Sequence, residues 1–321
     1  MRIDVHTHFY PIELMRRLER RSGYPHARSS DGKTLLHCWD SFALPFVPAF
    51  HDLSAKLADM DRIGVDVAVL SLNMPGPELA GGTEADELAR ITNDALAEAI
   101  ARHPKRLWGL ATLGFGSIDA TLKELDRCLT KLGFRGLQVM STINGKSLDA
   151  PELRPVFEYM AKANRPIFVH PTMPLNRTGL MDIVPVPAVA FAFDTTLAAV
   201  RLAMSGALRE YATGPIIIPH VGGTLPYLMP RIEGLMAAFG ARALEKDPVS
   251  YLKRLYMDTV AYTPEPIGYC LAAMGADHLL FGSDHPHGPW QTTADLLDQA
   301  VGSPVERDLI AHRNAERIFG A

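Results

Sequence analysis

His6 and His8 stand two residues apart in RIDVHTH, at the end of a short apolar run. Side chains alternate across a strand, so residues i and i+2 project to one side, where two imidazoles can chelate one cation. An isolated HxH is as often a pair of surface or core histidines, and the rest of the chain weighs against that. His170 ends the apolar run PIFVH, His220 ends PIIIPH, and Asp284 closes LLFGSD. Polar groups that interrupt apolar strands carry a desolvation cost unless something pairs with them, so five such placements argue for a shared purpose. Imidazoles with a carboxylate suit zinc and similar divalent ions, and four ligands leave room for a water.

The elements that must position these groups follow from the hydrophobic pattern. Eight runs rich in Val, Ile and Leu lie near residues 2–6, 66–71, 107–113, 135–140, 166–170, 215–220, 254–259 and 278–283. Most are continuously apolar, as strands covered on both faces should be. Between them lie segments of helical period. Leu53, Leu57, Met60 and Ile63 form a stripe ended by Gly64, and 84–102 carries Leu88, Ile91, Leu96 and Ile100 before His103-Pro104. The stripe over 118–132 stops at Gly133, and Asp194 is read as the N-cap of a helix over 195–211. Alternating strands and helices predict an α/β protein, a closed (β/α)8 TIM barrel, with its chemistry at the C-terminal ends of the strands.

At 321 residues a divisor of roughly 150 residues per domain would suggest two domains, yet a barrel with insertions reaches this length alone. The expectation is one domain over 1–321, with insertions at 23–50 after the first strand and 171–193 after the fifth. Both would form walls or lids over the catalytic face. The chain is 47% hydrophobic and 21% charged, with a net charge of -4. That balance offers no basic footprint for nucleic acid or an anionic membrane. Cys38, Cys128 and Cys270 are far apart and form no CxxC pair. Reduced thiols and the absence of an apolar leader in MRIDVHTHFYP point to a cytoplasmic protein. The most apolar later run, Val184 to Phe193, is broken by Pro185 and Pro187, so no membrane span is expected.

The segments D-x-H-x-H at 4–8, FVHP at 168–171, PHVGGTLPYLMPRI at 219–232 and FGSDHP at 281–286 resemble the amidohydrolase superfamily. Within it the chain is similar to the branch of 2-amino-3-carboxymuconate 6-semialdehyde decarboxylase and the aromatic-acid decarboxylases. VLSLNMPG, FVHPTMP and HVGGTLP are most like the 6-methylsalicylate decarboxylases. The resemblance implies that His6, His8, His170 and Asp284 hold one divalent metal ion, zinc or alternatively manganese. It also implies that His220 is the acid/base beside a metal-bound water, with Asp284 sharing the catalytic work. Superfamily members with two metals add a Lys at the end of the fourth strand; GLQVMST has none, which favours a single ion.

The activity so implied is decarboxylation of a small aromatic or dienoic carboxylic acid without an organic cofactor. The alternatives are a metal-dependent hydrolase or hydratase on the same ligands, and a barrel that binds without catalysis. Arg231 matches an arginine that reaches a substrate carboxylate from a neighbouring subunit, which implies a homodimer; the plain alternative is a surface ion pair. Val47 stands where the carboxymuconate enzyme has a second carboxylate-binding Arg, which counts against that substrate.

Further residues are read on their own. Asn73, ending the second strand, is a candidate for a substrate oxygen or a turn before Met74-Pro75. His285 and His287 are taken as solvated loop residues, with one of them lining the pocket as the alternative, Phe191 and Phe193 as core with pocket wall as the alternative, and Asp4 as a support or satisfied core residue. His26, His37, His51, His103, His278 and His312 have no supporting context.

Overall fold

The computed structural model describes residues 1–39, 42–180, 186–239 and 243–320. Eight parallel strands lie side by side in chain order: β1 (Ile3–His8), β2 (Val67–Ser71), β3 (Leu107–Ala111), β4 (Gly136–Met140), β5 (Ile167–His170), β6 (Ile216–Ile218), β7 (Tyr256–Asp258) and β8 (Leu279–Leu280). Backbone bonds from Val5 to the Phe281 carbonyl (2.9 Å) and from His8 to the His285 carbonyl (2.7 Å) join the last strand to the first. The expected (β/α)8 barrel is therefore present, its helices including α1 (Leu53–Ile63), α2 (Gly82–Arg102), α3 (Ile118–Thr130), α4 (Arg154–Ala163), α5 (Val186–Met204), α6 (Leu225–Phe239) and α7 (Pro264–Met274).

Local sequence explains the boundaries. Asp52 caps α1 by accepting from Ser54 and Ala55 N–H, worth about 1 kcal/mol, and Gly64 ends it at φ 69°. Strand residues such as Leu70, Val139, Val169 and Ile218 pack outward against Leu96, Leu125, Phe157 and Leu202 of the helices. A second cluster unites Ile3, Val5, Phe168 and Ile217 with Ile318 and Phe319 of the C-terminal helix.

Residues 23–50 supply wall over the strand ends, as expected, with Leu44 lining a cavity there, and they do so as an antiparallel sheet of strands His26–Ser30, Lys33–Trp39 and Phe42–Phe46. Its first hairpin turns at Asp31 (φ 51°) and Gly32 (φ 72°), the Asp-Gly pair that suits a tight turn with both central residues left-handed. Asp194 is not a helix cap, because α5 begins at Val186 and continues to Met204. Pro187 in its first turn leaves the helix intact, since the first N–H groups have no partner in the helix anyway. The 171–193 insertion is thus partly helix, while its residues 181–185 lie outside the described ones, as do 40–41 of the other insertion. The apolar run from Val184 to Phe193 is described only from Val186. Helix α5 is long and apolar enough to cross a membrane, but 56% of it is buried inside the protein, as in a core helix.

Candidate metal centre and active site

His6, His8, His170 and Asp284 offer ligand atoms that all lie within 4.8 Å of one another. They come from the C-terminal ends of β1 and β5 and the loop after β8. The two β1 histidines reach the barrel interior through an irregularity: Ile3 pairs with Val67 and Thr7 with Leu70, four steps against three. Such a bulge re-aims the side chains beyond it. Val5 therefore packs near Phe168 in the interior cluster, and the His6 ring also meets Phe168 at 4.8 Å.

Each imidazole is held by its outer nitrogen. His6 Nδ1 donates to Asp258 Oδ2 (2.7 Å), His8 Nδ1 to Ser71 Oγ (3.2 Å) and His170 Nδ1 to the Pro171 carbonyl (2.7 Å). Ser71 Oγ spends its proton on the Thr7 carbonyl (3.0 Å), so it accepts from His8. This assigns the lone pair of all three rings to Nε2. His8 Nε2 then lies 3.0 Å, and His6 Nε2 3.3 Å, from Asp284 Oδ1. Acceptors facing a carboxylate oxygen at that range repel unless a positive charge lies between them. His6 Nε2 is also buried without a hydrogen-bond partner. The residues fit a divalent ion: neutral imidazoles, one carboxylate, and supports behind them.

The electrostatics agree. Burial pushes His8 down to about 3 and His170 well below the imidazole range, which keeps both neutral. Burial would raise Asp284, but the imidazoles of His6, His220 and His8 gathered around it outweigh that and hold the carboxyl well below its usual range. His6 goes the other way. Burial lowers it first, yet Asp284 and Asp258 on either side raise it overall, so this ring marks where positive charge is wanted.

His220 follows β6 and faces the cluster, Nε2 3.7 Å from Asp284 Oδ2. His220 (φ 55°), Val221 (φ 52°) and Asp284 (φ 62°) are all left-handed without being glycine, a strain that persists where surrounding structure over-determines it. The turn after His220 needs glycine: a Cβ on Gly223 (φ +63°) would fall 2.4 Å from the Ala192 carbonyl oxygen.

A cavity of about 670 Å³ opens over the cluster, lined by His170, His220 and Asp284 and by Asn73, Phe191 and His287. A larger one of about 810 Å³, between the 141–151 segment and α5, contains none of the four ligand candidates. Chemistry, not size, picks the site. Asn73 lines the cavity, and its Oδ1 accepts from Met74 N–H (2.6 Å), the bond of the turn reading. Phe191 is buried and forms wall; Phe193 is 57% exposed and faces the larger cavity. Arg231 is exposed on α6 and lines no wall of this cavity.

The loop histidines are corrected. His285 is buried, accepting from Lys56 Nζ at Nδ1 (2.9 Å) and donating from Nε2 to Asp59 (2.8 Å). His287 is half-buried in the cavity wall. Solvent was the wrong default because the loop folds inward to carry Asp284. Asp4 is a support: it accepts from His6 N–H (3.1 Å), Ser283 N–H (3.0 Å) and Ser283 Oγ (2.5 Å), tying β1 to the Asp284 loop. Asp258 was missed by sequence reasoning. Its signal was available, since it closes the seventh apolar run as the other site residues close theirs.

The amidohydrolase family pattern matches residues 3–321. The chain is 26% identical over 306 residues to a 2-amino-3-carboxymuconate-6-semialdehyde decarboxylase of Dictyostelium discoideum, covering 89% of this chain and 82% of that one. It is 28% identical over 296 residues to a 6-methylsalicylic acid decarboxylase of Penicillium expansum, covering 90% and 86%. Among solved structures it is similar to a dihydroxybenzoic acid decarboxylase from Polaromonas sp. JS666 with bound manganese and the inhibitor 2-nitroresorcinol. There the TM-score is 0.82 at 26% identity, over 99% of this chain and 96% of that one.

Proposed function

Because the chain belongs to the amidohydrolase family, we propose that it is a metal-dependent carboxy-lyase acting on a small aromatic carboxylic acid. The carrying observation is that three histidines, each locked at Nδ1, turn Nε2 toward Asp284 at the floor of a largely hydrocarbon cavity. His6, His8, His170 and Asp284 would hold the ion. When bound, a divalent metal supplies a Lewis acid for the substrate's carboxylate and neighbouring oxygen.

The chain's own residues do the rest. Phe191, Met74 and Val260 exclude water from the ring of the acid, and a site poor in water favours loss of the carboxylate charge as CO2. His220 Nε2, directed at Asp284 and open to the cavity, is placed to hold a proton and deliver it to the carbon that bears the carboxylate. As that C–H bond forms, the C–C bond breaks, CO2 leaves, and its electron pair restores the aromatic ring.

Zinc or manganese is the proposed ion; the donor set accepts either, and a relative holds manganese. A single domain over 1–321 is supported by the span of the family match. A cytoplasmic location is supported by three buried, unpaired thiols. Arg231 is proposed to contact the substrate carboxylate across a homodimer, since it cannot do so from its own cavity wall.

The test is a panel of hydroxybenzoates, aminobenzoates and muconate-type acids given to metal-loaded enzyme, followed by absorbance and CO2 release. Stoichiometric CO2 with the decarboxylated arene is expected. Cleavage of lactones or amides with no CO2 would move the assignment to a hydrolase.

A further inference from the structure

The cavity holds a polar side chain that the proposed reaction leaves unused. His287 donates its backbone N–H to the Asp284 carbonyl (2.7 Å), and its ring packs edge-on against Phe50, with centroids 4.8 Å apart. It stands 6.1 Å from the ring of His8, near enough for a single-ring acid held at the cluster to reach it. Its Nε2 is buried without a hydrogen-bond partner. Native proteins keep few such atoms, and each asks for a missing partner. His6 Nε2 is in the same condition, and there the missing partner is the ion. His287 is not in the ligand set, so its partner is something else that enters the cavity.

The rest of the lining says what chemistry that partner has. Among the described residues no Lys or Arg lines the cavity. A second carboxylate would therefore be buried without a counter-ion from this wall, at a large desolvation cost. Asn73 has committed its oxygen to Met74, so its amide nitrogen is the group left for a ligand. The Thr263 hydroxyl is engaged by Glu265, and Tyr262 is exposed at the mouth. An imidazole and an amide suit a neutral oxygen, and a phenolic hydroxyl can both donate to and accept from a ring nitrogen.

We propose that His287 is a specificity-determining residue that hydrogen-bonds an uncharged ring oxygen of the substrate, with Asn73 as a second donor. The enzyme then selects aromatic monocarboxylic acids with a ring hydroxyl on the His287 side, in addition to any oxygen at the metal. This rests on the aromatic-acid reading of the site but not on turnover.

Calorimetry on metal-loaded protein tests it with isosteric pairs, each a salicylate carrying a second hydroxyl against the same salicylate carrying a methyl, with the substituent moved around the ring. The wild type should prefer the hydroxyl at one position by about tenfold, the scale of one hydrogen bond to a buried partner. His287→Phe, which keeps the packing on Phe50, should abolish or invert that preference with metal content unchanged, and His287→Gln should restore part of it. Equal affinity within every pair for the wild type, or an equal shift of both members in His287→Phe, would overturn the proposal. CO2 release without discrimination would sink this inference alone, whereas discrimination without CO2 release would sink the decarboxylase reading alone.

Discussion

Asp284 and His285 are consecutive, yet they face two different charged clusters. On the cavity side, His6, His8 and His170 turn unprotonated Nε2 atoms toward the Asp284 carboxylate. On the other side His285 has the opposite tautomer, with Nδ1 accepting from Lys56 and Nε2 donating to Asp59. Asp4 stands near the same buried lysine. Burial pushes Lys56 down to about 7, against the pull of Asp4 and Asp59. Burial likewise pushes Asp4 up to about 6, against bonds from Ser283 and His6 and the Lys56 charge. Donors and acceptors alternate there, so that cluster is complete with the chain's own atoms. The cavity cluster is all acceptors at its centre. Two neighbouring groups of His and Asp thus differ in one property: whether the protein supplies the positive charge itself.

The comparison can be broken first at Asp284. Asp284→Ala should lower turnover by at least about 10³-fold, the combined scale of a lost ligand and a lost proton-transfer partner, and lower bound metal with it. Metal analysis beside CO2 assay checks this, and a variant that kept stoichiometric tight metal would remove Asp284 from the ligand set. His220→Ala should reduce kcat by about 10²–10⁴-fold while leaving metal content intact. Full activity in that variant would end its acid/base assignment.

Across the loop, Lys56→Met should cost about 3–5 kcal/mol in denaturant unfolding, because it strands buried carboxylates without their partner. The folded fraction should still bind one metal per chain. Loss of metal with unchanged stability would mean that the two clusters are one.

Glu78 is the smaller control. It is 5% exposed, and burial raises its carboxyl to about 7, with no cation among the described residues pairing with it. A carboxyl raised in the folded state contributes stability that is fully present below its unfolded value of about 4.5 and is lost as pH rises through about 7. Glu78→Gln should therefore stabilise the protein by about 2–3 kcal/mol at pH 8 and hardly at all at pH 4, on the scale of roughly 1.4 kcal/mol per unit. Unfolding midpoints that shift equally at both pH values would show that charge is not the cause.

Much of this was legible in the chain. Apolar runs ending in His or Asp located the strands and the polar ends that face the cavity, because parallel strands buried on both faces tolerate polar groups only at their ends. The Asp31-Gly32 hairpin went unread, although an Asp-Gly pair is a turn signal. The start of α5 was not legible: an Asp inside a helix mimics a cap, and only packing shows that Asp194 is buried and bonded to Ser141. The fate of His285 and His287 was equally hidden, since Gly and Pro around them signal a loop without saying which way it folds.

What the sequence determined by itself is the inventory: which residue types stand at which strand ends, and hence that a barrel would gather imidazoles and a carboxylate at one mouth. That follows from periodicity, which is a property of neighbours along the chain. The tertiary structure decided which nitrogen of each ring faces inward, through Asp258, Ser71 and the Pro171 carbonyl, and that a bulge in β1 turns His6 and His8 to the interior. It also decided that Lys56 completes one cluster and none completes the other. Those outcomes depend on contacts between residues far apart in sequence, His8 and Asp284 being 276 apart, and no local pattern encodes the direction of a lone pair.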